Sequence, residues 1–66
     1  MNVILNGKTH VHRGEGNVAS VVRELGVGAD RVAVMVNDAI IARDKWDQSP
    51  VREGDRIEVL TFMGGG

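Results

Sequence analysis

Side chains equipped for covalent chemistry are scarce in this 66-residue sequence, which contains no cysteine. The most pointed chemical pattern is instead a stretch without side chains. In "RIEVLTFMGGG" a run with strand character passes through Met63 into Gly64, Gly65 and Gly66. Glycine has the largest ordering entropy of any residue and nothing to bury, so residues 63–66 are expected to form a flexible, thin C-terminal tail. Fully extended, Met63 to Gly66 reaches about 13 Å, at about 3.3–3.6 Å per residue. Its chemical group is the α-carboxylate of Gly66, ionised at neutral pH with an ordinary pKa of about 3.5. A carboxylate is a poor electrophile, so acyl chemistry there needs prior activation, for instance as an acyl-adenylate. "GEG" and "GVG" are too short for a phosphate-binding loop and lack the Lys-Ser/Thr that follows one. The activating site is therefore expected on another protein.

The remaining candidates are weaker. His10 and His12 stand two apart, which puts both on one face of a strand. A catalytic zinc takes three protein ligands; no third is evident nearby, and the pair is read as a solvated edge face with no metal. Asp44, Asp47, Glu53 and Asp55 lie among charged neighbours in loop-like stretches and read as solvated surface, leaving no catalytic set. Arg43, Lys45, Arg52 and Arg56 do not interleave with aromatics, and one Phe, one Trp and no Tyr give bases little to stack on. Trp46 is expected to fold back as a core plug.

Eight basic and nine acidic residues give a formal net charge of -1, without a long-range pull toward nucleic acid or an anionic membrane. No run approaches the roughly 20 apolar residues of a membrane span, and "MNVILNGKTH" lacks the basic start of a secretory signal. A cytoplasmic protein is the expectation. Without cysteine there are no disulfides and no thiolate ligands, and any sulfur chemistry cannot use a side-chain thiol of this chain.

The elements that must position the tail follow from periodicity. "NVILNGKTHVH" predicts a hairpin: Val3 and Leu5 share a face, Asn6-Gly7 suits a type I′ turn, and Thr9 and Val11 resume the alternation. Asn17 is a helix N-cap; Val18, Val21, Val22 and Leu25 then form one apolar stripe ending at Gly26, a C-terminal cap glycine. "RVAVMV" is β-branched and apolar on both faces, as a central strand would be. Asn37-Asp38 turns it into "AIIA"; "RDKWDQSP" reads as a loop or single helical turn, and Val51 is expected to extend a strand before "REGD" turns the chain into the last one. A single helix cannot cover both faces of a four- or five-stranded mixed sheet, so it packs on one face. The prediction is an α+β, β-grasp (ubiquitin-like) domain over residues 1–62.

Alternation along the last strand sharpens the reading. With Ile57 and Val59 inward, Leu60 and Phe62 point outward, just before the glycines, and Ile4 shares that face. Such a cluster suggests a docking patch; the plainer alternative is that Leu60 and Phe62 cover an edge or neighbouring loops.

The β-β-α-β order, "VMVNDAIIARDKW", "REGDRIEVL" and the closing Gly65-Gly66 together resemble the ThiS family, sulfur carriers of thiamine biosynthesis, along the whole chain. That resemblance implies a carrier rather than an enzyme. A ThiF-like adenylyltransferase would adenylate Gly66 with its own ATP, the carrier binding no cofactor itself. A persulfide donor would then leave a thiocarboxylate, and a ThiG-like thiazole synthase would take the sulfur. Gly64 and Gly65 would thread the partner's channel, and Ile4, Leu60, Phe62 and Met63 would meet the partners. Gly64 departs from the pattern, which requires two terminal glycines. Related carriers serve molybdopterin, cysteine, homocysteine or tRNA thiolation, and a non-covalent ubiquitin-like module or a protein modifier shares the shape.

Overall fold

Two pairs of left-handed residues organise the sheet. In the computed structural model, which describes residues 1–62, Asn6 and Gly7 have φ of 49° and 83°, and Asn37 and Asp38 have 49° and 72°. Positive φ at both central positions is the type I′ condition, whose twist matches that of paired strands. The first turn joins β1 (Asn2–Leu5) to β2 (Lys8–Val11), and the second joins β3 (Val32–Val36) to β4 (Ala39–Ile41). The closing strand, β5 (Arg56–Thr61), enters between the hairpins, so the sheet order is β2-β1-β5-β3-β4. It runs parallel to β1 and antiparallel to β3.

Helix α1 (Val18–Leu25) crosses one face of this sheet. The Asn17 carboxamide oxygen accepts from the Ser20 amide at 2.8 Å, satisfying one of the orphan donors of the first turn. Gly26, at φ 72°, ends the helix with its N–H on the Arg23 carbonyl. Val18, Val21 and Val22 are buried against Val3, Val32, Val34, Ile57 and Val59, and Leu25 packs partly buried beside them. Each such aliphatic side chain contributes about 1.5–3 kcal/mol relative to exposure. This is the β-grasp architecture that the sequence predicts.

The connections differ in detail from expectation. A 3-10 turn, Ala29–Arg31, precedes β3, and Arg43–Gln48 forms a second 3-10 helix that carries Trp46 into the core. There the indole N–H donates to the Ile41 carbonyl at 3.0 Å, so the ring is buried with its polar atom paired. Val51 is buried but extends no strand. Pro50 instead makes an isolated bridge to Asn17, with the Val51 amide on the Gly16 carbonyl and the Val18 amide on the Ser49 carbonyl.

The hairpin also assigns its faces. A two-residue turn pairs Val3 with His10 and Leu5 with Lys8, and directly opposed residues share a face. His10 therefore sits on the helix side, while Thr9, paired with Ile4, and Val11, paired with Asn2, face outward; Val11 is exposed.

Candidate functional site

The face of the sheet away from the helix carries the apolar residues that precede positions 63–66 in sequence. Along β5, Ile57 and Val59 are buried, whereas Leu60 is 50% exposed and Phe62 53%. Cross-strand register extends the patch. Leu60 pairs with Ala33, Glu58 with Met35, and Met35 with Ile40, which is 75% exposed. Ile4, half-buried, shares the same side through its register with Arg56. Ile40 and Met35 are members that the sequence reading did not single out. The signal was present: both follow from the alternation of β3 carried through the Asn37-Asp38 turn. Met63, Gly64, Gly65 and Gly66 lie outside the described residues.

The polar rim of this face is ordered by side chains that continue the sheet where backbone pairing stops. Backbone pairing of β1 with β5 ends at Asn6, whose N–H donates to the Ile57 carbonyl at 2.9 Å. Beyond it the Asn6 carboxamide takes over. Its oxygen accepts from the Val59 N–H at 2.8 Å and its nitrogen donates to the Val59 carbonyl at 3.3 Å. The amide thus imitates one further strand residue, and only a residue tolerant of positive φ fits there. An open hollow of about 460 Å³, lined in part by Ile4, Gly7, Glu58 and Leu60, lies beside this clamp. At the other end of β5 the Asn37 carboxamide plays a similar part, accepting from the Arg56 amide at 3.0 Å and donating to Asp55 at 3.1 Å. Arg56 reaches Asp38 at 3.0 Å, an exposed pair of the kind that contributes little to stability. The last strand is therefore held at its start by the Asn37 carboxamide and on its β1 side, as far as Val59, by that of Asn6, while its pairing with β3 continues through Thr61.

The histidines are not a solvated edge. His12 is 2% exposed, and its Nδ1 lies 2.9 Å from Glu24 Oε1 while its Nε2 lies 2.6 Å from the Glu15 carbonyl. His10 Nε2 meets the same Glu24 oxygen at 2.8 Å, and the other oxygen accepts from the Arg13 amide at 2.9 Å. Hydrogen bonds from His12, then His10, then the Arg13 N–H hold the Glu24 carboxyl down at about 2, from an ordinary 4.5. The third ligand that the sequence did not offer is thus Glu24, on the last turn of α1. Hairpin parity was the missed clue: with a two-residue turn, even positions of β2 share the core-facing side with Val3 and Leu5.

Among the described residues no helix is long and apolar enough to cross a membrane. The carboxylates Asp44 and Glu53 are exposed, and neither belongs to a cluster with metal-ligand spacing among the described residues.

Comparison with known proteins adds to this geometry. The model of the ThiS family matches residues 3–66. The sulfur carrier protein ThiS of Thermus thermophilus is 34% identical over 64 residues, covering 97% of this chain and 98% of that one. The thiazole synthase of Paramagnetospirillum magneticum is 33% identical over 66 residues, all of this chain but only 20% of the synthase. The chain therefore spans about a fifth of the length of the thiazole synthases it matches, like a segment carried within a longer polypeptide. Among solved structures, the crystal structure of the thiamine biosynthesis protein (ThiS) from Geobacter metallireducens superposes with a TM-score of 0.83 at 38% identity, covering all of both chains.

Proposed function

The chain belongs to the ThiS family, and from that premise we propose that it is a sulfur carrier of thiamine biosynthesis, charged at Gly66. The observation that carries the reading is the closing strand. Held as far as Val59 on its β1 side and paired with β3 through Thr61, it presents Leu60 and Phe62, half exposed, with Met63 alone between them and the glycines.

The chemistry assigns the folded body no catalytic step. A ThiF-like adenylyltransferase docks on the outward face, through Ile4, Leu60, Phe62 and Met63, and takes Gly64 and Gly65 into a narrow channel. There the Gly66 carboxylate attacks the α-phosphorus of ATP held by that partner, releasing pyrophosphate and giving an acyl-adenylate. The terminal sulfur of a persulfide then attacks the carbonyl carbon and AMP leaves, forming an acyl disulfide. A thiol attacks the donor's sulfur in that S–S bond, so the electron pair stays on the acyl sulfur as a thiocarboxylate and the thiol leaves as a disulfide with the donor. A thiocarboxylate remains tethered to its carrier and is nucleophilic through sulfur, which suits it to build a thiazole. The similarity to part of a thiazole synthase supports a ThiG-like acceptor, since carriage of such a segment by the synthase itself would hold donor and acceptor at high effective concentration. ATP is the partner's substrate and the chain itself holds no cofactor. The work belongs in the cytoplasm, where ATP is supplied.

Intact-mass measurement after incubation with an adenylating partner, ATP and a persulfide donor tests this. The chain should gain the mass difference between sulfur and oxygen, and a variant lacking Gly66 should gain nothing. An unchanged mass alongside a control carrier that is charged, or sulfur uptake by the truncated chain, would refute the assignment to Gly66. An isopeptide adduct on a second protein would indicate a modifier instead.

A further inference from the structure

We propose that His10, His12 and Glu24 form a binding site for a divalent zinc-class cation, holding the end of β2 to the last turn of α1. The argument starts from His12. The Glu15 carbonyl, 2.6 Å from His12 Nε2, can only accept, so Nε2 carries a hydrogen. The other ring nitrogen, Nδ1, is then aimed at Glu24 Oε1 from 2.9 Å. An imidazole lone pair and a carboxylate oxygen at that separation need a cation between them. A hydrogen shared between the two atoms is one way to meet it.

A metal meets it with more ligands. His10 Nε2 faces the same oxygen at 2.8 Å, and the three ligand atoms all lie within 4.8 Å of one another. Ligand atoms around tetrahedral zinc, at about 2.0–2.2 Å from the metal, stand about 3.3 Å apart, so the Glu24 oxygen has to retreat by about half an ångström and the partly exposed His10 ring has to swing toward His12, whose nitrogen lies up to 4.8 Å from its own. Glu24 is partly exposed at the end of its helix and can move so far. Its supports already have the form that metal sites use. The second nitrogen of His12 donates to a backbone carbonyl, which orients the ring, and the second oxygen of Glu24 accepts from the Arg13 amide. Two histidines and one carboxylate leave a fourth position for water, on the side where His10 and Glu24 are open to solvent.

Placement says what such an ion does. Val11, next to His12, pairs with Asn2 at the start of β1; β5 runs parallel to β1, so Phe62 lies toward the opposite end of the sheet. The ion is therefore a structural clasp, remote from the residues that lead into the tail.

Isothermal titration of untagged, chelator-stripped full-length protein with Zn2+, paired with thermal melts, tests the proposal. Wild type should bind one equivalent and, at a hundredfold excess of free zinc over its Kd, melt about 10–20 °C higher. His10→Ala and Glu24→Gln alter partly exposed side chains and avoid the buried His12. Each should weaken zinc binding at least about tenfold. Co2+ in the wild-type site should show the intense visible bands of a four-coordinate ion, and both variants should lose them. Absence of zinc binding by folded wild type would overturn the proposal, as would binding that His10→Ala leaves unchanged.

Discussion

Replacing Asn6 asks whether one side chain holds β5 where the backbone of β1 has turned away. Asn6→Gly keeps a residue suited to φ 49° but removes both hydrogen bonds to Val59, at 2.8 and 3.3 Å. At about 0.5–1.5 kcal/mol each, with the longer bond at the low end, the pair contributes about 1–2.5 kcal/mol. Asn6→Ala removes the same bonds and adds the left-handed penalty of a β-carbon, about 1–2 kcal/mol more. For a domain of this size each kcal/mol lowers Tm by about 4–8 °C, so Asn6→Gly should melt about 4–20 °C below wild type and Asn6→Ala lower still. Urea unfolding followed by Trp46 fluorescence measures both, an unchanged m-value showing that the comparison is of stability alone. Hydrogen exchange adds a local readout, since the Val59 amide should lose protection in both variants. An Asn6→Gly variant within about 0.5 kcal/mol of wild type, the range of an ordinary surface substitution, would refute the clamp. So would Ala and Gly variants of equal stability, because the left-handed backbone would then not be held.

Other perturbations probe the remaining parts. Trp46→Ala removes a buried ring and its hydrogen bond to the Ile41 carbonyl, and should cost about 3–5 kcal/mol, read as a lower urea midpoint. Leu60→Glu and Phe62→Glu alter half-exposed side chains and should change stability by no more than about 0.5 kcal/mol while weakening binding to an adenylyltransferase in titration calorimetry; a variant that binds as wild type would remove that residue from the docking face. The Glu24 carboxyl is held at about 2 in the folded protein against 4.5 ordinarily, so its contribution is fully present above 4.5 and is lost as pH falls through 2. In chelator, the urea midpoint of wild type should therefore fall more steeply across that window than the midpoint of Glu24→Gln; parallel curves would contradict it.

Much of this molecule was legible because its signals are local. The turns at Asn6-Gly7 and Asn37-Asp38, the cap at Asn17, the end at Gly26 and the outward phase of Leu60 each depend on neighbours within one turn or one strand, where steric limits on φ and side-chain alternation act directly. The family pattern, too, lies in contiguous residues such as "REGDRIEVL" and the glycines after it. Tertiary structure decided the rest. That β5 enters between the hairpins, that Asn6 reaches a residue 53 positions away, and that Glu24 meets His10 and His12 all depend on which faces come to pack together. Local periodicity states which face a side chain takes but not what lies opposite it. The opposing partner is set by burial of the shared core, a property of the whole chain at once.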